Sequence, residues 1–518
     1  MNMEDLVKDL EERRRRVREM GGPDKVDKQH ARGKLTARER FALFFDDGVF
    51  FEVGLHGRPM GGEHVTDVPA DAVVSGFGKV DGRMVCAAAY DFTVKGGSIG
   101  QVGEEKVTRL RAMALRGRWP IVWFIDSGGA RIDPGSTHPD HLSLFAGSGH
   151  LFREQVLMSG VVPQVAAMVG PGAAGTAYIP GLADFVPMVK GIGSLALGGP
   201  PLVKAVTGQD ISEQELGGSK VHTTTSGVGD VEVEDDAACI ALVKKYLSFM
   251  PSHAEATPPV VPCTDPIERR DESLLRLLPE SSRQSYDMYA LIRAVVDHGD
   301  ILDIKPKFGR SLITCLARIG GRSVGIVANQ PKYLGGVLEN DASDKGAKFI
   351  QVCDAFNVPL VFLQDVPGFM VGSKVEHAGI IRHGAKMLHV MSAATVAKIT
   401  VVVRKGYGAG YYVMSGRAYE PDLIVAWPSA EISVMGAEGM IGIAGKKLFG
   451  DAPPDPQVKQ AMVQAIQNNI DIYKVGGWGL VDDVIDPRDT RRTIAWGLEL
   501  AEHKRVERPY KKRGVIPV

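Results

Sequence analysis

Residues 82–97 read GRMVCAAAYDFTVKGG, and residues 321–336 read GRSVGIVANQPKYLGG. Both stretches run from Gly-Arg through an apolar segment to Gly-Gly, and their positions differ by 239 residues (321 minus 82). The same offset, applied without a gap to residues 82–129, gives eleven identities. Self-similarity at a fixed offset is the mark of an internal repeat. The chain is therefore predicted to consist of two related halves.

Each half continues from its Gly-Gly loop with the same succession of elements. An amphipathic helix is predicted at residues 104–117 and again at residues 343–357, followed by an apolar strand that ends on Asp126 or Asp365. A second apolar strand and a turn of small residues come next in both halves. Strands that alternate with helices of about 12 residues indicate mostly parallel sheets. The predicted fold class is α/β.

The domain boundary is predicted from composition. Residues 251–274 are rich in proline, serine and charge, which is typical of a linker. We therefore expect an N-terminal domain at residues 1–250 and a C-terminal domain at residues 275–518. A chain of 518 residues is also too long for one ordinary hydrophobic core, which favours two domains.

Charge and composition exclude several classes of function. A net charge of −1 gives no general attraction to nucleic acid or to an anionic membrane, so neither partner is expected. The five cysteines form no CxxC pair, and no histidine cluster has metal-ligand spacing, so no metal is expected. No apolar run approaches the roughly 20 residues that span a bilayer, and the N-terminus does not resemble a secretory signal. A cytoplasmic protein is expected.

The segment GPGAAG at residues 170–175 is compatible with a different class of enzyme. It satisfies GxGxxG after a predicted strand, so a nicotinamide-dependent oxidoreductase is an alternative. The motif lies deep in the chain, however, and its second copy has lost the pattern. Asp126-Ser127-Gly128-Gly129 also resembles a nucleophile turn, but its repeat carries no serine and no histidine partner is identifiable. A serine-based triad is therefore not expected.

Both halves do retain a strand, then small residues, then a predicted helix. The small residues are Ala174-Gly175 in the first half and Ala409-Gly410 in the second. Small side chains at the start of a helix let unpaired backbone N–H groups face a ligand, and such a turn can stabilise an enolate or another oxyanion. Close packing of the helix on the sheet also selects glycine and alanine. Occurrence in both halves favours the functional interpretation.

Longer segments resemble a known family. They are GKLTARERFALFFDDGVFFEVG (33–54), ELGGSKVHTTTSGVGD (215–230), NDASDKGAKFIQVCDAFNVPLV (340–361) and DVPGFMVGSKVEHAGIIRHGAKML (365–388). They are similar to signatures of the carboxyltransferase β subunits of biotin-dependent acyl-CoA carboxylases, the group of propionyl-CoA and methylcrotonyl-CoA carboxylases. The resemblance covers nearly the whole chain.

This resemblance implies two tandem crotonase-like domains of the ClpP/crotonase superfamily, each a β-β-α superhelix. Acyl-CoA would bind mainly to the N-terminal domain, and carboxybiotin to the C-terminal domain of a neighbouring subunit in a hexamer built from dimers. The biotin would be carried by a partner subunit with biotin carboxylase and biotin carboxyl carrier functions. The chain has no biotinylation site and no P-loop, which agrees with such a partner.

The resemblance also implies roles for individual residues. Ala174 and Gly175 would hold the thioester carbonyl of acyl-CoA, and Ala409 and Gly410 the ureido oxygen of biotin. The further substrate-binding residues expected are Gly128, Gly129, Ala130, Arg131, Gly172, Tyr178 and Tyr412. The further biotin-binding residues expected are Pro367, Gly368, Phe369, Tyr407 and Gly408. No side-chain general base is implied, so catalysis would rest on placement and oxyanion stabilisation.

The substrate is less strongly specified than the family. Propionyl-CoA and acetyl-CoA carboxylases usually carry an acidic residue in the turn where this chain reads YGAGYYVM and places Tyr412. Other segments resemble methylcrotonyl-CoA members. Propionyl-CoA is slightly favoured, with a methylcrotonyl-type carboxylase and a biotin-dependent decarboxylase or transcarboxylase as alternatives. A noncatalytic scaffold for a biotin-bearing partner would be a third class.

Overall fold

The computed structural model describes residues 2–60, 67–131, 149–281, 284–449, 455–512 and 514–518. The chain divides into two compact units, Met1–Ala256 and Thr257–Val518. Within these described ranges no helix has the length and apolar character needed to cross a membrane.

The N-terminal unit is built on one eight-stranded sheet. Its strands are β1 Phe50–Glu52, β2 Val73–Val80, β3 Arg83–Tyr90, β4 Ile121–Ser127, β5 Gln164–Ala173, β6 Pro187–Val189, β7 Ser194–Ala196 and β8 Val231–Val233. They pair in the order β1-β2-β3-β4-β5-β6-β8, with β7 beside the end of β5. The first three strands are antiparallel and the others parallel.

Helices surround this sheet. They are α1 Met3–Arg18, α2 Pro23–His30, α3 Ala37–Phe44, α4 Gln101–Gly117, α5 His150–Met158, α6 Gly175–Leu182, α7 Pro200–Thr207, α8 Glu213–Gly217, α9 Ser219–Thr224 and α10 Asp236–Phe249. Helix α4 buries Val107, Leu110 and Ala114, which lie on one face at helical spacing. This face packs into a core with the buried Trp123 of β4.

The C-terminal unit repeats the plan. Its strands are β9 Ile301–Ile304, β10 Leu312–Ile319, β11 Arg322–Asn329, β12 Leu360–Val366, β13 Lys398–Tyr407, β14 Leu423–Ala426, β15 Glu431–Ser433 and β16 Asp483–Val484. The order is β9-β10-β11-β12-β13-β14-β16, with β15 beside β13. Pairing is antiparallel from β9 to β11 and parallel beyond.

The helices of this unit complete the repeat. They are α11 Met288–Val295, α12 Asn340–Ala355, α13 Ser373–His377, α14 Ile380–Ala393, α15 Gly408–Val413, α16 Ala437–Phe449, α17 Pro456–Gln467, α18 Ile472–Gly477 and α19 Thr490–Leu500. Strands β4 and β12 are buried along their whole length, as expected for parallel strands covered on both faces. The predicted α/β class and the duplication are confirmed.

The repeat changes its offset in the middle of each sheet. Strands β2, β3 and β4 match β10, β11 and β12 at an offset of 239. Ile121 of β4, however, pairs with Gln164, whereas Leu360 of β12 pairs with Lys398, so the next strands match at an offset of 234 (398 minus 164). The structure therefore makes Ala174 equivalent to Gly408 in the repeat, and Gly175 equivalent to Ala409. The sequence had matched Ala174-Gly175 with Ala409-Gly410, which is wrong by one residue.

Candidate functional site

The carboxyl ends of the two central strands meet at one edge of each sheet. In the N-terminal unit Ser127 pairs with Gly172, after an irregularity in register that follows Ile125. In the C-terminal unit Val366 pairs with Gly406 after the same irregularity. This edge is where ligands bind in open α/β sheets. Each unit thus brings its strand-end turn and its small-residue turn together.

Glycines let the backbones approach closely in the N-terminal unit. Gly128 donates its N–H to Gly96 O at 2.9 Å, so the Gly-Gly loop contacts the turn after β4. Gly129 has a φ of +92°, and a Cβ there would lie 2.8 Å from Ala173 O. The Ser127 hydroxyl accepts the Gly129 N–H at 3.1 Å. Ser127 is buried and supports the turn, which agrees with a structural role for its hydroxyl.

Ala174 and Gly175 form the junction between β5 and α6. Ala174 has φ 51° and ψ −118°, and its N–H donates to Ala196 O at 3.2 Å. Gly175 is the first residue of α6, where backbone N–H groups have no acceptor within the helix. Among the residues that the structure describes, the atom nearest to a Cβ on Gly175 would be Phe152 Cζ at 3.7 Å. The described residues therefore leave room beside the Gly175 backbone.

The other residues predicted to bind substrate differ in exposure. Tyr178 is 48% exposed, and its ring packs edge-on against Phe152 with centroids 5.4 Å apart. Gly172 is buried inside β5, and Ala130 is exposed after the strand-end turn. Tyr178 and Ala130 can contact a ligand, whereas the missing side chain of Gly172 leaves room for neighbouring side chains.

Arg131 is held within the protein. Its guanidinium is buried and forms an ion pair with Asp71. It also donates to Ser98 O at 2.8 Å. These contacts join the segment after β4 to the loop that precedes β2. The buried Arg131 side chain therefore stabilises the position of the strand-end turn.

The C-terminal unit packs its two turns even more tightly. A Cβ on Gly410 would lie 2.7 Å from Val366 Cγ2 and 3.0 Å from Gly368 Cα. Gly368 has a φ of +127°, and its carbonyl accepts the Leu338 N–H at 3.0 Å. The turn after β12 thus lies directly against Gly410. Pro367 is half-buried in the same turn.

Two aromatic residues frame this second turn. Phe369 packs on α14, where a Cβ on Gly384 would be 3.0 Å from its ring. Tyr407, at the end of β13, is 6% exposed and donates its hydroxyl hydrogen to the Glu431 carboxylate. Burial, reinforced by this carboxylate, raises the pKa of Tyr407 above its ordinary value. The phenol stays neutral and fixes the end of β13 to β15.

The start of α15 places the remaining predicted residues. Gly408 has a φ of +56°, and Ala409 and Gly410 follow in the first turn of the helix. Tyr412 is 46% exposed, and its ring stacks on Tyr419 with centroids 6.0 Å apart. Tyr412 is therefore an accessible aromatic surface two residues beyond Gly410.

Buried charges lie beneath both turns. Asp126 at the end of β4 accepts from Lys34 Nζ at 2.5 Å, Arg40 at 3.1 Å and Gln29 Nε2 at 2.8 Å. Burial lowers the pKa of Lys34, while Asp126 opposes that shift. In the other unit the matching carboxylate of Asp365 forms a buried ion pair with Arg404 and also attracts the Lys405 ammonium. These groups fix the strand ends and are inaccessible to substrate.

Sequence reasoning missed several of these residues. Lys34 and Arg40 precede Asp126 by about 90 residues, and no local pattern signals the contact. Phe152 carries no motif either, although it lies beside Gly175. In the part of the chain that the structure describes, no group of three histidine, cysteine or acidic residues is placed to hold a metal ion.

Each unit has a parallel-dominated sheet that leads through a small-residue turn into a helix, an arrangement that can stabilise an oxyanion. The chain matches the carboxyl transferase domain family over residues 28–516 and belongs to it. The predicted membership of the carboxyltransferase family and the prediction of an enzyme are therefore confirmed.

Relatives match this chain over its whole length. The methylmalonyl-CoA decarboxylase subunit alpha of Propionigenium modestum is 40% identical, and the alignment covers 99% of each chain. The propionyl-CoA carboxylase beta chain of Roseobacter denitrificans is 40% identical and covered completely, as is this chain. The 12S transcarboxylase, solved as a hexamer with methylmalonyl-coenzyme A and methylmalonic acid bound, is 43% identical with a TM-score of 0.94 over 100% of both chains.

Proposed function

We propose that this chain transfers a carboxyl group between carboxybiotin and the α-carbon of a short acyl-CoA, with propionyl-CoA and methylmalonyl-CoA as the exchanged pair. The observation that carries the proposal is the full-length match to the 12S transcarboxylase, whose structure has methylmalonyl-coenzyme A bound. The decarboxylase and carboxylase relatives are named for the same pair of thioesters.

The N-terminal turn is proposed to bind the acyl-CoA thioester. The N–H group of Gly175 would donate to the thioester oxygen as the α-carbon loses its proton and negative charge moves onto that oxygen. Ala174 fixes the geometry of this donor through its bond to Ala196. One such donor contributes roughly 3 kcal/mol to lowering the barrier. Tyr178 and Phe152 lie beside this position and would contact the acyl group.

The C-terminal turn fits a planar ureido group. Neither Gly408 nor Gly410 has a side chain, so the strand-end turn and the start of α15 can pack closely beside the proposed ureido site. When bound there, carboxybiotin supplies the carboxyl group and a base for the α-proton. The N–H groups of Ala409 and Gly410 would hold the ureido oxygen, and Pro367 and Phe369 would border the site. The chain itself needs no side-chain base for this chemistry.

The domain roles and the assembly follow from the same proposal. Residues 1–250 would bind acyl-CoA, residues 275–518 carboxybiotin, and residues 251–274 would join them. The biotin would be attached to a partner subunit that also carboxylates it. The 12S transcarboxylase forms a hexamer. We expect a hexamer here too, with a mass near six times 55.7 kDa by light scattering.

The decisive test supplies radiolabelled carboxybiotin, free and on a biotin carrier domain, to the purified full-length chain. Acetyl-, propionyl-, butyryl- and 3-methylcrotonyl-CoA are offered in turn. We expect the most label in methylmalonyl-CoA formed from propionyl-CoA. Absence of label in every thioester would overturn the proposal. Most label in 3-methylcrotonyl-CoA would retain carboxyl transfer and overturn the substrate.

One relative suggests the opposite direction of the reaction, decarboxylation of methylmalonyl-CoA. The chemistry is the same in carboxylation and decarboxylation, so the partner subunit decides which occurs. A decarboxylase is favoured by the 40% identity to the methylmalonyl-CoA decarboxylase subunit. Labelled methylmalonyl-CoA and free biotin test whether the chain can run the reverse transfer. Release of label only after addition of a membrane fraction would favour a decarboxylase.

A further inference from the structure

The two units have a positive φ at the equivalent position but different residues there. At the junction after β5, Ala174 has φ 51° and ψ −118°, a conformation that alanine rarely adopts. The equivalent residue after β13 is Gly408, with a φ of +56°, and glycine adopts such angles freely. A strained residue persists only where its surroundings fix it. The N-terminal unit therefore needs a restraint that the C-terminal unit does not.

Strand β7 supplies this restraint. Ala196 O accepts the Ala174 N–H at 3.2 Å, which holds the strained residue directly. Leu195 of the same strand pairs with Gly172 of β5. A strand of only three residues, however, has few hydrogen bonds of its own. Its position depends on what anchors it from the other side.

The anchor is His222 of α9. Its Nε2 lies 2.9 Å from Leu195 O, so this nitrogen carries the hydrogen and donates it. Its Nδ1 lies 2.7 Å from Ser226 Oγ, which donates in turn. Burial lowers the pKa of His222, which keeps the ring neutral in this arrangement. Gly217 lets the chain pass the ring, since a Cβ there would be 3.1 Å from Nε2.

The C-terminal unit has no such donor at the equivalent position. Ser194 forms a bridge with Gly218 just before α9, and Glu431 forms the matching bridge with Asp471 just before α18. This match places Val475 where the N-terminal unit has His222. Valine cannot donate a hydrogen bond from its side chain. The histidine thus occurs in the unit that has alanine at the strained position.

We infer that His222 is a positioning residue for the acyl-CoA turn: it fixes β7, and β7 holds Ala174 so that the Gly175 N–H points at the thioester oxygen. This inference rests on the proposed function, since it assigns the oxyanion to this turn. It concerns neither direct contact with substrate nor proton transfer. The imidazole donates to the Leu195 carbonyl, and the next carbonyl of the strand, that of Ala196, accepts the Ala174 N–H.

The first test compares His222→Ala with His222→Gln in the carboxyl transfer assay. Complete loss of an oxyanion donor lowers kcat by 10²–10³-fold, so a displaced donor should cost less. We expect kcat of His222→Ala to fall about tenfold, with KM for propionyl-CoA within about twofold. The Gln side chain keeps a donor near the Nε2 position and should restore most of the rate. Equal loss in both variants, or no loss in either, would overturn the inference.

A double mutant separates positioning from general stability. Glycine at position 174 relieves the strain, so Ala174→Gly should make β7 less necessary. We expect His222→Ala to lower kcat less than about threefold in the Ala174→Gly background, compared with about tenfold in the wild type. His253→Ala serves as control, since its Nδ1 accepts the Glu255 N–H two residues further along the chain, away from β7 in sequence. The same fold-loss in both backgrounds would show a merely structural role.

Hydrogen–deuterium exchange tests the inference without any turnover. Peptides that cover residues 170–176 and 194–197 should exchange faster in His222→Ala than in the wild type. If these rates respond but the wild-type protein transfers no carboxyl group, the proposed function fails and the anchoring of Ala174 stands. If residues 170–176 exchange at the wild-type rate, the inference is overturned whatever the activity.

Discussion

The N-terminal and C-terminal units hold equivalent turns in different ways. In the first unit Asp126 lies under the turn with two buried cationic partners, Lys34 and Arg40, at 2.5 and 3.1 Å. In the second unit the matching Asp365 pairs with Arg404, which also contacts the Tyr286 ring. Duplication therefore preserved the strand and its terminal aspartate, whereas the surroundings diverged. The difference predicts that the same substitution will have unequal effects in the two units.

The largest difference is expected from removing the charge at these aspartates. Asp126→Asn removes the paired carboxylate of Lys34 and leaves Arg40 with Asp236 alone, and breaking a buried ion pair costs about 3–5 kcal/mol. Asp365→Asn should cost about half as much, because it breaks the buried pair with Arg404 where Asp126→Asn breaks the pairs with both Lys34 and Arg40. Urea unfolding of both variants measures the difference. Asp9→Asn in the exposed pair with Arg13 is the control, with an expected change below about 0.5 kcal/mol. Equal costs at the two buried aspartates would contradict the asymmetry.

The second comparison concerns glycine at the proposed donors. A Cβ on Gly410 would lie 2.7 Å from Val366 Cγ2, so Gly410→Ala should destabilise the protein by about 1–3 kcal/mol. Gly175→Ala meets no atom of the described residues within 3.5 Å and should change the free energy of unfolding by less than about 0.5 kcal/mol. Both should lower carboxyl transfer, because the methyl group at 175 lies beside the proposed thioester site and the methyl group at 410 displaces the turn after β12. Unimpaired transfer in the well-folded Gly175→Ala variant would argue against this turn as the acyl-CoA site.

The third comparison uses two buried lysines that match at the offset of 239. Burial lowers the pKa of Lys345 to about 7 and of Lys106 to about 8, and each ammonium donates to backbone carbonyls. The ordinary pKa of lysine is 10.5. Between each lowered pKa and 10.5, the unfolded chain therefore binds more protons than the folded chain. This contribution to stability is complete above pH 10.5 and is lost as the pH falls through about 7 or 8.

Between pH 7 and pH 9, Lys345 should therefore raise the free energy of unfolding by about 2 kcal/mol, and Lys106 by about 1 kcal/mol. Urea unfolding at both pH values checks this, with Lys345→Met and Lys106→Met removing the respective increments. An unchanged pH slope in Lys345→Met would show that this ammonium does not titrate in the range.

The smallest effect is expected at the exposed tyrosines beside each turn. Tyr412→Asp should change the ratio of kcat/KM for propionyl-CoA and butyryl-CoA severalfold, about 1 kcal/mol, while the backbone donors remain. In the other unit, Tyr178→Phe keeps the ring next to Phe152 and removes only the hydroxyl group. It should therefore alter this ratio less. An unchanged ranking of thioesters in Tyr412→Asp would place Tyr412 outside the acyl pocket.

Hydrophobic periodicity was enough to predict much of the fold. The predicted helix at residues 104–117 lies within α4, and the strand that ends on Asp126 is β4. Its repeat is found as α12 and β12. These predictions held because local spacing and burial agree in both copies.

Other features could not be obtained from local patterns. The offset falls from 239 to 234 between β4 and β5, and only strand pairing reveals it. Arg131 was predicted to bind substrate, but its ion pair with Asp71 joins residues 60 positions apart. The anchoring of Leu195 by His222 likewise crosses 27 positions. Such contacts depend on how elements pack, which periodicity does not encode.

The sequence by itself determined the duplication, the α/β class and the family, because repeated spacing and long motifs are properties of the order of residues. Only the tertiary structure decided which residues are equivalent in the two turns, and which charges lie buried beneath them. The physical reason is that strand register and side-chain burial are set by contacts between distant segments. In this protein those contacts make Ala174 and Gly408 equivalent, although the sequence alignment had them one residue out of step.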